Sequence, residues 1–349
     1  MRVTMKELAA ALGVTQGTVS KALHDRPGIS EGLRCRIKRK AEEMGYRVNR
    51  VAQTLSRHTL QIGVLLPEEW PDLYDEVADG IRDKVQNLQD YNVQIHIRTV
   101  PEGQYEQVLR TLAEYKLDGL LCSWFIDAEP DGRQTVRRIL EEDRDIPVLL
   151  VVSDASKRQD DAFGIVASDS YLQGRLAAEY MRHLVPANAA VAVMTGQLAH
   201  TDHRRRVDGF RDTYCRDGRT VLPLIEAQDQ PQVAEQKARA LLTEHPELQG
   251  LYISTGNSEA VCRTVTQMGF GDRVHIICTD LFAGILPYME EGGPVDALVY
   301  QDLYRQGRKA VRLLYDALSG GAPLPAHTSI VPQLLLRCNA AEVWRRRHT

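Results

Sequence analysis

The 349-residue sequence predicts an all-α helix-turn-helix head joined to an α/β body of two doubly wound parallel-sheet lobes. Three observations carry this. The first 47 residues hold three short amphipathic helical patterns, two of them separated by a glycine turn. From Leu60 onward, two successive sets of short apolar runs alternate with helical stretches, the mark of parallel α/β sheets. Charge is divided along the chain: residues 1–60 carry 12 Lys and Arg against 5 Asp and Glu, a net +7, and the remainder carries 31 against 42, a net −11. The whole-chain value of −4 therefore hides a basic head on an acidic body, the balance of a nucleic-acid-binding module joined to a different kind of domain. A chain of this length also exceeds one core of about 100–200 residues.

Thr4-Met5-Lys6-Glu7 reads as a capping box, in which the threonine oxygen accepts from the Glu7 amide and the glutamate reaches back. Met5, Leu8, Ala9 and Leu12 follow on one helical face. Gly13 allows a sharp turn, and Thr15 caps a second helix through Leu23 with Val19 and Leu23 as its core positions. His24 to Gly28 is a loop by composition. Ser30 caps a third helix with an apolar face of Leu33, Ile37, Ala41 and Met44, and Gly45 stops it. Two short helices joined by a tight turn and braced by a third form a helix-turn-helix, whose second helix enters the major groove with its N-terminal residues foremost. Those residues are Thr15, Gln16, Gly17, Thr18, Ser20 and Lys21. Gln16 can read a base edge, Thr18 and Ser20 suit phosphates or bases, and Lys21 suits guanine or phosphate. On pattern alone, a solvated helix in a small bundle explains the same residues equally well.

Met5-Lys6-Glu7-Leu8-Ala9 through Gly13-Val14-Thr15, then Thr18-Val19-Ser20-Lys21-Ala22-Leu23, Ile29-Ser30 and Gly45-Tyr46-Arg47-Val48-Asn49, resemble in order the head of the lactose-repressor (LacI/GalR) family of transcriptional regulators. Asn49 to Leu55 resembles that family's hinge helix. The resemblance implies a hinge that folds only when two copies lie side by side in the minor groove, where a leucine wedges into the central base step and kinks the duplex. Leu55 holds that position, among Gln53, Thr54, Ser56, Arg57 and His58, with little core to join. Asn49 and Arg50 then lie at the DNA. Lys21 keeps the basic charge the family prefers at the end of its reading tripeptide, and Gly17 removes a side chain there, which leaves more of the discrimination to Gln16. The partners implied are double-stranded DNA with a near-palindromic operator and a second copy of the chain, as a homodimer or a larger assembly.

In the body, the first apolar runs are Ile62 to Leu66, Val93 to Ile97, Gly119 to Cys122 and Pro147 to Val152. The second set is Ala190 to Met194, Val221 to Ile225, Leu251 to Ile253 and Val274 to Ile277. Ligands of such sheets bind beyond the carboxyl ends of the strands, so two facing lobes make a cleft that can close on a small molecule. Ser168 to Gly174, Arg206 to Phe210, Ile276 to Asp280 and Gln301-Asp302 resemble the periplasmic-binding-protein fold that the same family carries after its head. That resemblance implies three crossings between lobes, with the segment near Ala297 to Leu318 returning to the first lobe.

A sugar-like ligand calls for bidentate hydrogen-bonding groups and an apolar face against its ring. The resemblance gives Arg206, Asp280 and Asn257 ligand-binding positions, and Gln301 a weaker one. Trp70, Tyr74 and Trp124 follow first-lobe strands and could wall the ring. Plainer readings stand beside these: Asp280 as a helix cap, Trp124 as core, Arg206 paired with Asp208 or Asp212. Val152 stands where the family often has an aspartate, and Ser153-Asp154 come just after it; with His203 three residues before Arg206, they put Asp154 and His203 among the ligand candidates and leave the ligand class open. Arg204-Arg205-Arg206 could mark a phosphate or carboxylate on the ligand, or be two solvated arginines beside one useful one.

The domain boundaries are 1–47 for the DNA-binding head, 48–59 for the hinge helix and linker, 60–340 for the two-lobed ligand-binding and dimerisation domain, and 341–349 for a basic C-terminal tail. No stretch approaches the ~18 apolar residues of a membrane span, and Met1 to Leu12 is amphipathic rather than a basic-then-apolar leader, so a cytoplasmic chain is expected. The six cysteines form no Cys-x-x-Cys unit, so neither a zinc site nor a disulfide framework is expected. His200-Thr201-Asp202-His203 falls in a predicted loop without a further ligand, and no metal or cofactor is expected. Phosphate-binding Gly-rich loops, nucleophile elbows and His-Glu-x-x-His motifs are missing from the sequence, which points away from an enzyme. The expected function is a sequence-specific transcriptional regulator, a repressor, controlled by a small, sugar-like effector in the cleft. A binding protein without a DNA function and a sugar-modifying enzyme are the alternatives.

Overall fold

The structure, a computed structural model, describes residues 5–23, 28–44, 58–88, 92–123, 132–140, 146–152 and 163–348. The chain divides into two units, Met1–Thr59 with Asn87–Val93, and Leu60–Gln86 with Gln94–Thr349. In the first unit, α1 (Met5–Leu12), α2 (Gln16–Leu23) and α3 (Glu31–Glu43) bury Leu8, Ala9, Leu12, Val19, Ala22, Ile37 and Ala41 together. Gly13 takes φ +66° at the end of α1, where the Val14 amide returns to the Ala9 carbonyl at 3.1 Å. That left-handed position is one only glycine adopts without strain. Thr15 caps α2 by accepting from the Thr18 amide at 3.1 Å, and Ser30 caps α3 from the Leu33 amide at 3.4 Å. Both caps are those the sequence predicts. Thr4 and Gly45 lie outside the described residues.

The body is built from β1 (Leu60–Pro67), α4 (Pro71–Gln86), β2 (Val93–Val100), α5 (Tyr105–Ala113), β3 (Gly119–Ser123), α6 (Gly132–Leu140), β4 (Val148–Val151), β5 (Phe163–Ser168), α7 (Ser170–Leu184), β6 (Ala190–Thr195), α8 (Thr201–Tyr214), β7 (Ile225–Glu226), α9 (Pro231–Glu244), β8 (Leu248–Ile253), α10 (Ser258–Gln267), β9 (His275–Thr279), β10 (Val295–Tyr300), α11 (Leu303–Gly320), β11 (Thr328–Ile330), β12 (Gln333–Leu336) and α12 (Arg337–His348). One sheet runs β11-β5-β4-β3-β1-β2, the other β12-β10-β9-β8-β6-β7. The chain passes between sheets three times, after Ser168, after Tyr300 and between Ile330 and Gln333.

Several expectations need correction. Among the described residues each sheet has six strands rather than four. β5 and β10 escaped the pattern because a polar stretch precedes one and Asp296 interrupts the other, and β11 and β12 are too short to show a period. Of Val221 to Ile225 only the last residue enters a strand, because Pro223 has no N–H to give a ladder. The second sheet is not wholly parallel: β12 is antiparallel to β10. The chain arrives beside Tyr300, at the carboxyl end of β10, and must run back from there. The return to the first lobe begins at Leu303, since Ala297 to Tyr300 belong to the second sheet. The C-terminal residues set apart as a tail lie in α12, where Ala340 is buried and Val343 and Trp344 pack on the second-lobe core. Among the described residues no helix is long and apolar enough to cross a membrane.

Strands of the second sheet are apolar on both faces because both are covered. Met194, Ile253, Cys278 and Leu298 face one core, and Val193, Tyr252, Ile277 and Val299 face α7 and α8. The Phe210 ring stacks between Tyr214 and Tyr252, at 5.4 and 5.0 Å between centroids. α7 and α8 approach until backbones nearly touch. A Cβ on Gly174 would lie 1.9 Å from the Arg206 carbonyl oxygen, and one on Gly209 would lie 2.1 Å from that of Tyr171. Gly174→Ala must therefore separate the two helices, and is expected to cost about 1–3 kcal/mol. Urea unfolding should show a lower midpoint with an unchanged slope; an unchanged midpoint contradicts the packing.

Candidate functional site

The face of α2 predicted to read DNA is open. Thr15, Gln16, Gly17 and Lys21 are exposed, and Thr18 and Ser20 are half-buried, while Val19 and Ala22 turn to the core. The cap holds this face in place: the Thr15 and Thr18 hydroxyls lie 2.9 Å apart as well as sharing the amide bond. Asn49, Arg50 and Leu55 lie outside the described residues, as do Trp124 and Asp154.

In the body the predicted side chains gather at the carboxyl ends of the second-lobe strands. Arg206, on α8 and 7% exposed, donates from Nε to Gln173 Oε1 at 2.7 Å and from Nη1 to the Ser254 carbonyl at 3.2 Å. Gln173 Nε2 donates to Gln301 Oε1 at 3.3 Å, and Gln301 Nε2 donates to Asp280 Oδ2 at 2.6 Å. Three of the predicted residues thus form one buried chain with Gln173 as the missing link. The N-cap position of the short helix after Asp280 is Phe282, and Arg206 pairs with neither Asp208 nor Asp212; Tyr171 takes Asp212 instead.

A second cluster adjoins it. Asn257 Nδ2 donates to Thr255 Oγ1 at 3.3 Å, and Thr255 Oγ1 donates to Asp229 Oδ1 at 2.8 Å. Among the described residues Asn257 Oδ1 is buried without a partner. His203 Nδ1 lies 3.7 Å from Asp229 Oδ2, 2.9 Å from the Gln197 amide nitrogen and 3.2 Å from the Gln197 carbonyl oxygen. His203 sits in the first turns of α8, not in the loop predicted for His200 to His203. That quartet is also split, for Asp202 accepts from Ser170 Oγ at 3.1 Å. Arg204 and Arg205 are anchored rather than merely solvated, on the Leu198 carbonyl at 2.8 Å and on Asp169 Oδ1 at 3.4 Å.

On the first-lobe side, Trp70 lies against the second lobe: a Cβ on Gly256 would come 2.8 Å from its ring. Tyr74 is spent inside its own lobe, buried with its hydroxyl 3.1 Å from Ser123 Oγ. Glu76 of α4 holds the crossing, accepting from the Tyr300 hydroxyl and from the Tyr304 amide at 3.0 Å. Left-handed backbone recurs along this edge in non-glycine residues: Trp70, Val152, Gln228, Asp229, Asp280 and Asp302, with φ between 54° and 69°. Such conformations cost of order 1–3 kcal/mol each and concentrate where ligands are clamped.

Sequence reasoning missed Gln173, Asp229 and Thr255. Gln173 stood in the quoted Ser168 to Gly174 stretch, where the following glycine was the available signal of a close helix contact. Asp229 follows a strand of two residues, too short to flag what comes after it.

Residues 62–322 match the periplasmic binding protein domain, and residues 4–49 match the lacI family of bacterial regulatory proteins. The chain is 33% identical over 122 residues to the HTH-type transcriptional regulator RegA of Clostridium saccharobutylicum, which covers 35% of this chain and 36% of that protein. It is 25% identical over 221 residues to the ribose operon repressor of Escherichia coli K12, covering 62% of this chain and 63% of that protein. The chain thus spans less than two thirds of the length of these curated relatives. Among solved structures, a glucose-galactose binding protein from Geobacillus stearothermophilus superposes with a TM-score of 0.69 at 23% identity, over 81% of this chain and 99% of that one, a likeness of fold.

His203 carries a testable charge state. Burial, and after it the Arg206 guanidinium, lower its pKa to about 4, with Asp229 pulling the other way. An unfolded histidine titrates near 6.5. The neutral ring therefore contributes stability that is fully present above about 6.5 and lost as pH falls toward about 4. Thermal unfolding between pH 7 and 4 should show this loss, and His203→Gln should flatten it; an equally steep profile in the variant contradicts the assignment.

Proposed function

The chain belongs to the lacI family of bacterial regulatory proteins, with a periplasmic binding protein domain as its body, and on that premise we propose that it is a cytoplasmic, non-enzymatic transcriptional repressor whose operator affinity is set by a sugar-like effector. The observation that carries the proposal is the presence in one chain of an open reading face, Thr15 to Lys21, and a buried polar edge of Arg206, Gln301, Asp280 and Asn257. One reading helix per chain calls for two chains on a near-palindromic operator, with Asn49, Arg50 and Leu55 at its centre. The basic head would neutralise phosphates, so operator affinity should fall steeply with salt.

For the effector, Arg206 and Asp280 offer a donor and an acceptor to neighbouring hydroxyls, and Asn257 Oδ1 offers a buried acceptor still to be matched. Trp70 supplies the apolar face. The relatives' names point the same way, toward ribose for the E. coli repressor and glucose or galactose for the structural neighbour.

A thermal-shift screen of D-ribose, D-glucose, D-galactose, L-arabinose, polyols and sugar phosphates should reveal a ligand, since one at 100 times its Kd stabilises by about 2.7 kcal/mol. Arg206→Ala or Asp280→Ala should then lose about 1.5–3 kcal/mol of that binding, roughly ten- to a hundredfold, while operator binding without ligand persists. If neither the screen nor genomic DNA fragments produce binding, the proposal fails; if both variants keep the native midpoint, the ligand sits elsewhere.

A further inference from the structure

Gln173 is fully buried on α7, and both ends of its amide are bonded to cleft residues. The direction of those bonds is not free. An arginine Nε–H can only donate, so Gln173 must show Arg206 its carbonyl oxygen. Its NH2 then faces Gln301, which must answer with its own oxygen. That leaves the Gln301 NH2 for Asp280 Oδ2. Gln306 Nε2 holds the Gln301 backbone carbonyl at 3.0 Å, which anchors the point from which its side chain starts. The sequence of donors and acceptors is therefore dictated from one end by Arg206 and closed at the other by a carboxylate.

We propose that Gln173 is the positioning residue that carries the hydrogen-bonding polarity set by Arg206 across the effector cleft to Gln301 and Asp280. Through it, Arg206 is held as the donor end and Gln301 with Asp280 as the acceptor end, so that a ligand meets an ordered donor–acceptor pair suited to adjacent hydroxyls. Its role toward a ligand rests on the function proposed above; the ordering of the chain does not. The ionisable groups in its chain of bonds are Arg206 and Asp280; Tyr252 of β8 interacts with both of them and with Cys278 of β9, and His203 of α8 interacts with Arg206, Asp229 and His200.

Gln173→Glu tests the ordering in the intact chain without any ligand. A glutamate keeps the bond to Arg206 but shows Gln301 a second acceptor. If Gln301 turns over, its oxygen meets Asp280; if it stays, its oxygen meets Glu at 173. Two acceptors face each other in either case until one carboxyl takes a proton. The variant's melting temperature, relative to the native chain, should therefore fall as pH rises from about 4 to 8. Adding Asp280→Asn supplies a donor at the far end, so the Gln301 amide can turn over with every bond beyond position 173 satisfied, and the added pH dependence should vanish. The same pH profile in Gln173→Glu as in the native chain, or an added dependence that Asp280→Asn leaves intact, overturns the proposal. If Gln173→Glu does not fold, recovery of folding on adding Asp280→Asn supports the ordering, and failure to recover counts against it. Calorimetry with D-ribose and D-glucose gives the second arm: Gln173→Met, which cuts the chain without adding charge, should weaken whichever binds by about tenfold or more. Unchanged affinity refutes the positioning role. If neither sugar binds the native chain while the pH arm behaves as expected, ribose and glucose are excluded as effectors and the ordering stands.

Discussion

An arginine that is 7% exposed has to find acceptors for its guanidinium wherever it meets protein, and at Arg206 this requirement organises the second lobe. Its Nε and Nη1 take the Gln173 side chain and the Ser254 carbonyl, which tie α8 to α7 and to the end of β8. Gln173 can reach it only because Gly174 and Gly209 let the two helices touch backbone to backbone. The apolar core beneath, with Phe210 stacked between Tyr214 and Tyr252, sets the depth at which α8 lies on the sheet. Burial of that core also pushes the Tyr252 hydroxyl up to about 12, so it remains a neutral partner of Thr279. Packing thus decides where Arg206 is, and Arg206 decides how the polar groups around it point.

The cleft edge is built against local preference. Val152 is β-branched and left-handed, and Asp280 and Asp302 hold the same region while supplying side-chain acceptors. Such residues persist only where their surroundings over-determine them. Glu76, bonded to both Tyr300 and Tyr304, and Trp70, laid against Gly256, are the contacts that bridge the lobes here. They describe one of the arrangements between which a ligand can choose, since a ligand shifts such an equilibrium only by binding one state better.

Much of this was legible in the sequence, and the failures have physical causes. Period and caps gave the described helices of the head, because Thr15 and Ser30 act on amides three residues away. The longer buried strands announced themselves as apolar runs. β11 and β12 did not, being defined by a neighbouring strand rather than by their own three or four residues. Arg206, Asp280 and Gln301 were found through resemblance and do meet. Tyr74 follows a first-lobe strand as expected, yet its hydroxyl serves Ser123, a choice that depends on the rotation of α4. Gln173 is the instructive case: a glutamine on a helix reads as solvated, and only the glycine-mediated contact between α7 and α8 turns it inward.

On the proposed function, ligand binding in the body and DNA binding by the head form one coupled equilibrium, and coupling of that kind is reciprocal. The direct measurement is a thermodynamic cycle: the dissociation constant of the sugar with and without saturating operator DNA, and that of the DNA with and without saturating sugar. The account predicts that both affinities change, and by the same factor. A sugar affinity that is indifferent to bound operator, beside a ligand that demonstrably occupies the cleft, would contradict it.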